Sequence, residues 1–432
     1  MQEATSRAVH GTHTETGSAH GHAGFAGWDE RLANRLLESA GFPDVALTLW
    51  NGTCVKGRSS SPAATFHIAD RAALLRLAVD PTLQFGELYT AGRITLAAGD
   101  LVAGLQEILT ASPPGTALSP SARLARRFAA ARPKGLALAR RQAQAHYDLG
   151  NDFYRLWLDP TLSYTCAYFT SAAATLQEAQ LAKLDHVCRK VGLRAGSEVI
   201  EAGSGWGSLA LHAASRFGAR VKSYNVSREQ VAYARARARG AGLDGRVEFI
   251  EDDYRNATGR CDAFLSVGML EHVGPAHYPE LGQLAKRLLR PEGFGLIHTI
   301  GRVTPEAVDP WIRKRVFPGT YVPSLAELMA VFEPNGLAVT DVENLRPHYA
   351  RTLALWLGNF ERQKQELGKR LDESFLRLWQ LYLASSCAAF AVGRMQLYQV
   401  AFTSPANRRA PWTREALYQP DARTWEWTAA MC

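Results

Sequence analysis

The chain has 432 residues, too many for one ordinary core and enough for two domains. Apolar residues make up 47% and charged residues 21%, the balance of a globular protein, and no apolar run approaches the ~18–20 residues that span a bilayer. The formal net charge of +8, with a pI near 9.2, favours an anionic partner and does not choose among nucleic acid, a membrane surface or an acidic ligand.

Residues 1–27 are small, polar and dotted with His10, His13, His20 and His22; they read as a disordered tail without the apolar core of a signal peptide. Residues 28–112 read as a small mixed domain. DERLANRLLESAG is a helix ending at Gly41, and VALTLWNGTCV and ATFHIA alternate like strands around a turn. RAALLRLAVDPTLQFGELYTAG reads as helix, break and helix, and LVAGLQEILTAS as a closing helix. Residues 113–145 form a connector opening with Pro113-Pro114-Gly115. Arg123, Arg126, Arg127, Arg132, Lys134, Arg140 and Arg141 give it seven cations in 19 positions. Such a segment is either a solvated linker or a patch for anionic headgroups, worth roughly 1 kcal/mol per basic residue that reaches the surface.

Seven of the 24 residues of HYDLGNDFYRLWLDPTLSYTCAYF, 146–169, are Tyr, Phe or Trp. The ordinary reading of such a run is a packed core. His146, Asp148, Asn151, Asp152 and Asp159 argue instead for a site, because a dry core tolerates few such groups without partners. From about 171 the pattern alternates strand and helix, with helices at TLQEAQLAKLDHVCRKVGL, GWGSLALHAASRFG, SREQVAYARARARGAG and HYPELGQLAKRLL. The strands are SEVIEAG, ARVKSYNV, RVEFIEDDY, DAFLSV and FGLIHTIG. That rhythm predicts a mostly parallel sheet covered on both faces. An insertion over about 302–323 follows, then helices around 349–391 and a last strand near MQLYQVAF. The six cysteines, Cys54, Cys166, Cys188, Cys261, Cys387 and Cys432, are scattered with no CxxC pair. No zinc site or disulfide framework is expected, and a reducing compartment fits.

EAGSGWG, Glu201–Gly207, follows a strand and opens a helix. A G-x-G-x-G turn alone serves dinucleotides and S-adenosylmethionine alike. Glu201 just before the first glycine favours the methyl donor. So does the lack of an acidic residue at the end of VKSYNV, where a dinucleotide fold would hold a ribose; Asn225 and Gln230 are the polar groups there.

The aromatic run, EAGSGWG, SREQ, GMLEHVG, FGLIHTIGR and HYARTLALW occur in this order over residues 146 to about 356. Together they closely resemble the cyclopropane-fatty-acyl-phospholipid synthase family, which includes the mycolic acid cyclopropane synthases. The resemblance implies an α/β, Rossmann-like class I S-adenosylmethionine-dependent methyltransferase domain over 146–432, with seven strands, the last antiparallel. It also implies a smaller N-terminal α+β lipid-binding domain over 28–112, and gives 113–145 as a basic linker. The implied reaction adds a methylene from S-adenosylmethionine across a cis double bond of a phospholipid acyl chain. The implied partner is an unsaturated phospholipid at a membrane surface, not a nucleic acid, and the implied place is the cytoplasmic side, peripheral on the inner face of the membrane. A homodimer is a further expectation. Related enzymes use the same scaffold to make methyl-branched or methylene-bearing chains, so that product stays open.

Carried onto this sequence, the donor site comprises Tyr164, Thr165, Glu201, Gly203, Ser204, Gly205, Gly207, Asn225, Gln230, Asp253 and Tyr254. The family holds a bicarbonate ion as base, and the matching positions are Cys166, Glu271, His298, Ile300 and Tyr349. His272 and His348 rank below them. Ser204 stands where the family usually has Cys, Asn225 where Thr is common, and Ala202 is smaller than its usual counterpart. A non-catalytic membrane-binding protein is disfavoured by the intact Cys166, Glu271, His298 and Tyr349, and a small-molecule methyltransferase by the basic N-terminal part.

Overall fold

The computed structural model describes residues 20–112 and 150–418. The first part of the expected tail, the basic connector over 113–145, His146 and Asp148 lie outside the described residues. Helix α1, His20–Ser39, begins within the segment read as tail. Its glycines disguised it in the sequence, but once a helix is nucleated, each added residue costs little.

The N-terminal unit continues with β1 (Val45–Leu49), β2 (Cys54–Lys56), β3 (Ala64–Ile68), α2 (Arg71–Val79), α3 (Pro81–Thr90), β4 (Ile94–Gly99) and α4 (Leu101–Ala111). The strands run in the order β2-β1-β3-β4, with β1 parallel to β3 and the other pairs antiparallel. Asp70, Asp80 and Asp100 each accept a backbone N–H at the start of a helix, contacts worth about 1 kcal/mol each. Asp80 is both the end of α2 and the cap of α3, with Pro81 at the first helical position, which makes the predicted break. The sequence reading missed β4. Only Ile94 of its six residues is buried, so there was no alternation to read.

The second unit holds α5 (Asn151–Arg155), α6 (Leu176–Lys190), β5 (Glu198–Ala202), α7 (Ser208–Phe217), β6 (Arg220–Asn225), α8 (Arg228–Gly240), β7 (Val247–Glu251) and β8 (Cys261–Val267). It continues with α9 (Tyr278–Leu288), β9 (Leu289–Gly301), α10 (Pro310–Arg315), α11 (Leu325–Leu328), β10 (Ala338–Asn344), α12 (Arg346–Leu367), α13 (Glu373–Ala391), β11 (Gln396–Thr403) and α14 (Glu415–Tyr418). The strand order is β10-β11-β9-β8-β5-β6-β7, parallel except for β11, which runs antiparallel to both neighbours. This is the expected class I methyltransferase sheet. The edge strand β10 was not predicted; its residues are half-buried or exposed and mostly polar.

Successive residues of the central strands fill different cores, as a pleat with both faces covered requires. Val199, Ala263, Leu265 and Leu296 pack with α6, α7 and α8, whereas Ile200, Phe264 and Ile297 pack with α9 and the 325–332 segment. A third cluster joins the N-terminal unit to α5, α12 and α13. Polar contacts line the same junction: the Tyr89 hydroxyl donates to Gln380 Oε1 at 3.0 Å, and Glu87 meets Arg315 at 2.6 Å and Lys314 at 3.3 Å. The 302–323 insertion leaves and rejoins the body at one point, where the Arg302 N–H donates to the Pro323 carbonyl at 2.8 Å. Among the described residues no helix is long and apolar enough to cross a membrane.

Candidate active site

A cleft opens at the carboxyl ends of β5, β6 and β8, where an open parallel sheet takes its ligands. The glycine loop forms its floor. Gly205 lies at φ +50° with nothing within 4 Å of where a Cβ would stand, so the bare backbone faces the opening. Ser204, Asn225 and Gln230 line one wall as a bonded set. The Asn225 amide donates to Ser204 Oγ at 3.1 Å and to Gln230 Oε1 at 2.9 Å, and its own oxygen takes the Ser227 N–H at 3.0 Å. Gly203, Tyr164, Thr165, Asp253 and Tyr254 also line the cleft. Asp253 is fixed by Arg255 at 3.1 Å, and the guanidinium lies 5.0 Å from the Tyr254 ring. Glu201 reaches the cleft from β5. Ser223 Oγ donates to it at 2.5 Å, and burial raises its carboxyl to about 7 despite that bond and the nearby Lys183.

Gly207 is the exception among the expected donor-site residues. It does not line the cleft; it sits at φ +86° at the start of α7, where a Cβ would stand 2.7 Å from Phe249 and 3.0 Å from Ala234. Its role is to seat α7 and α8 on the sheet.

The aromatic run folds back over the cleft. The Tyr164 ring lies 5.3 Å from both Trp157 and Trp356 and 5.5 Å from Tyr154, and its hydroxyl meets that of Tyr382 at 2.7 Å. The described polar residues that argued for a site here, Asn151, Asp152 and Asp159, are structural or exposed. Asp159 takes the N–H groups of Thr161 and Ser163, Asn151 takes the Trp206 indole N–H at 2.7 Å, and Asp152 lies on the surface.

The residues expected around the base lie next to the cleft lining: Cys166 follows Thr165, and Gly268 of the cleft donates its N–H to the His298 carbonyl at 2.9 Å. Glu271 and Ile300 meet directly: the Ile300 N–H donates to Glu271 Oε1 at 2.7 Å. The Ile300 amide therefore holds Glu271 in place, which is its part in the site. Glu271 Oε2 is buried without a hydrogen-bond partner among the described residues, and burial raises the carboxyl above the ordinary range. His298 is 1% exposed. Gln399, its direct partner across the β9–β11 ladder, turns its amide nitrogen to Nδ1 at 3.1 Å, which leaves the ring proton on Nε2. Nε2 is buried and has no hydrogen-bond partner among the described residues. Burial, with Lys183 and Lys190 adding to it, pushes the ring well below the usual histidine value, so it is neutral. The Cys166 thiol turns to the Ala167 and Leu345 carbonyls, at 3.2 and 3.9 Å, and burial pushes it far above its ordinary value. Leu345 precedes α12 and accepts the Tyr349 N–H at 3.1 Å, so the start of α12 brings Tyr349 beside Cys166.

The sequence pattern of the family described as mycolic acid cyclopropane synthetase matches residues 136–400. The chain belongs to the mycolic acid cyclopropane synthetase family. With that family it is an S-adenosylmethionine-dependent methyltransferase. A probable fatty acid methyltransferase of Pseudomonas putida is 39% identical over 285 residues, 63% of this chain and 72% of that protein. The cyclopropane-fatty-acyl-phospholipid synthase of Escherichia coli K12 is 39% identical over 259 residues, 60% of this chain and 66% of that protein. The mycolic acid cyclopropane synthase CmaA1, solved with SAH and CTAB, superposes with a TM-score of 0.58 at 31% identity, covering 61% of this chain and 97% of that one.

Ser204 and Asn225, two of the positions that depart from the pattern the resemblance implies, are hydrogen-bonded to each other. Three residues that the sequence reading ranked low or passed over face the site. His272 lines the donor cleft, whereas His348 accepts the Phe169 N–H at 2.9 Å and is structural. Gln399 is a buried amide inside the wholly buried strand β11, and Lys183 is a buried cation one turn after Gln180 on α6.

Proposed function

We propose that the chain is a cyclopropane-fatty-acyl-phospholipid synthase, inserting a methylene from S-adenosylmethionine across the cis double bond of an unsaturated phospholipid acyl chain, with bicarbonate as base. The observation that carries this reading is the pair of buried, partnerless atoms Glu271 Oε2 and His298 Nε2 beside the donor cleft. One is an acceptor and the other, in the tautomer set by Gln399, a donor. A small anion that also carries an O–H satisfies both, and an unsatisfied buried polar atom costs about 1–3 kcal/mol. When bound, S-adenosylmethionine supplies an electrophilic methyl group, and bicarbonate a base for the proton that leaves it before a ring can close.

The chain's own groups do the rest. Neutral His298 and the Tyr349 hydroxyl are the donors toward an anion, and Glu271, braced by Ile300, takes its O–H. Tyr164, Trp157 and Trp356 form a dry aromatic wall. Attack by an alkene leaves positive charge on the acyl chain, and ring faces stabilise a cation by roughly 0.5–2 kcal/mol while excluding the water that would quench it. The net charge of +8 and the cations over 123–141 support an anionic lipid surface, on its cytoplasmic side, as the place where the substrate is met.

The test is incubation with S-adenosylmethionine and vesicles of unsaturated phospholipid, with mass spectrometry for the gain of a CH2 unit. No gain on any unsaturated lipid, with S-adenosylhomocysteine still bound, sinks the proposal. The P. putida relative, equal in identity to the E. coli one, favours a second reading, a methyl-branched or methylene product. Catalytic hydrogenation separates a ring from an exomethylene group, which takes up hydrogen under conditions that spare a ring, and a saturated methyl branch shows by mass as a CH2 unit plus two further hydrogens.

The thiol is not needed as a nucleophile, because burial keeps it protonated. Cys166→Ser is expected to retain activity within about tenfold, since a hydroxyl can repeat the bond to the Ala167 carbonyl. Complete loss in a folded Cys166→Ser protein would restore a chemical role for sulfur.

A further inference from the structure

Lys183 is 3% exposed, lies on α6 and lines the donor cleft. Among the described residues its ammonium has one hydrogen-bond partner, Thr165 Oγ1 at 2.9 Å, which is neutral. It forms no ion pair with any described residue. Three N–H donors serve one hydroxyl, in a place that water scarcely reaches. A desolvated cation in this condition is costly until an anion arrives. Burial lowers its proton affinity to about 8, and the negative groups Asp159 and Glu201 only partly offset that.

A purely structural role is poorly supported. The segment that Lys183 touches is already tied to α6 by Gln180, whose amide donates to the Ser163 and Thr165 carbonyls at 3.2 and 2.8 Å. Lys183 adds a bond to a side chain, on the cleft side of that segment. Thr165 Cγ2 faces Gly268, another cleft residue, where an added Cβ would stand 2.8 Å away. The adjacent Cys166 side chain turns elsewhere, to the Ala167 and Leu345 carbonyls. Across the same cleft, Glu201 is buried and also lacks an ion partner among the described residues. The cleft thus presents one buried cation and one buried acid, the charge pattern that matches an amino-acid end bearing both a carboxylate and an ammonium.

We propose that Lys183 anchors the methyl donor by its α-carboxylate, with Thr165 Oγ1 holding the ammonium in position. The carboxylate is the donor's one anionic group; the sulfonium and ammonium are cations, and the nucleoside is neutral. The proposal rests on the donor cleft described above.

Isothermal titration of the full chain with S-adenosylhomocysteine and with its decarboxylated analogue tests it. Lys183→Met is expected to weaken S-adenosylhomocysteine by at least about 30-fold and to leave the analogue within about twofold, so that the wild type's preference for the carboxylate collapses. Lys183→Gln keeps a donor for Thr165 without the charge and should follow Lys183→Met; it covers the case in which the methionine variant fails to fold. Equal losses for both ligands, or unchanged S-adenosylhomocysteine affinity with a raised bicarbonate requirement, would overturn the assignment. If the wild type bound neither ligand, the donor cleft itself would be at fault rather than Lys183.

Discussion

Glu271→Gln should lower methylene transfer to vesicle phospholipid by about 10²-fold or more, with S-adenosylhomocysteine affinity unchanged within about twofold. The amide retains the acceptor that holds the Ile300 N–H, so the backbone of β9 need not move. What changes is the second atom. Glu271 Oε2 is a buried acceptor, and Gln puts an N–H2 donor in its place, which would add to the His298 Nε2–H donor around the proposed ion. Two donors can still attract an anion, but neither can take its O–H, so its basic oxygen loses its orientation. Positioning matters here because the proton to be removed belongs to a transient species, and small misplacements of a reacting group cost about 10²-fold.

Stability separates this from simple damage. Burial raises the Glu271 carboxyl above its unfolded value, so the folded state holds that proton more tightly than the unfolded chain. The carboxylate therefore penalises folding increasingly as pH rises above the ordinary carboxylate range, and the penalty is full once the buried group has ionised. Glutamine carries no such penalty. The variant should melt no lower than wild type at neutral pH and lose its advantage in acid, which thermal melts across pH can read. A lower melting temperature at neutral pH, or a parallel fall in donor affinity and turnover, would count against a base-holding role for Glu271.

Much of the donor site was legible because its signals are local. The glycine loop, Glu201 and the polar pair Asn225 and Gln230 lie at strand ends that hydrophobic periodicity already located. The residues that were missed depend on contacts that no local pattern encodes. Gln399 meets His298 across 101 positions of sequence, through a register that only the antiparallel pairing of β11 fixes. Lys183 reads as one more polar residue on a helix until Thr165 closes over it. Asn151 and Asp159 misled in the opposite sense, because a sequence shows a polar group in an aromatic run but not the indole or turn that satisfies it. Strands β4 and β10 escaped for a simpler reason: largely exposed or half-buried strands leave no apolar alternation.

Gly86→Ala should destabilise the protein by about 1–3 kcal/mol, although a glycine-to-alanine exchange inside a helix ordinarily gains up to about 1 kcal/mol. The sign is decided by Trp311. A Cβ on Gly86 would lie 2.3 Å from Trp311 Cγ and 2.5 Å from its neighbours, and that ring is 3% exposed with no room to retreat. The contact joins α3 of the N-terminal unit to α10, beside the ion pairs from Glu87 to Lys314 and Arg315. From α10 the chain runs to Phe317, whose ring lies 5.5 Å from Tyr382 and 6.4 Å from His272, and then to Tyr321, whose N–H donates to the Glu271 carbonyl at 2.9 Å. Tyr382 in turn meets the Tyr164 hydroxyl. The N-terminal unit thus braces the insertion that holds the Glu271 backbone and packs against the aromatic wall. Displacing Trp311 should reduce turnover by roughly tenfold. Donor affinity should fall less than turnover, because the glycine loop and the ends of β5 and β6 belong to other elements than the insertion. Stability and turnover at or above wild type would show that the junction is only a tether, and that the second unit positions its catalytic groups unaided.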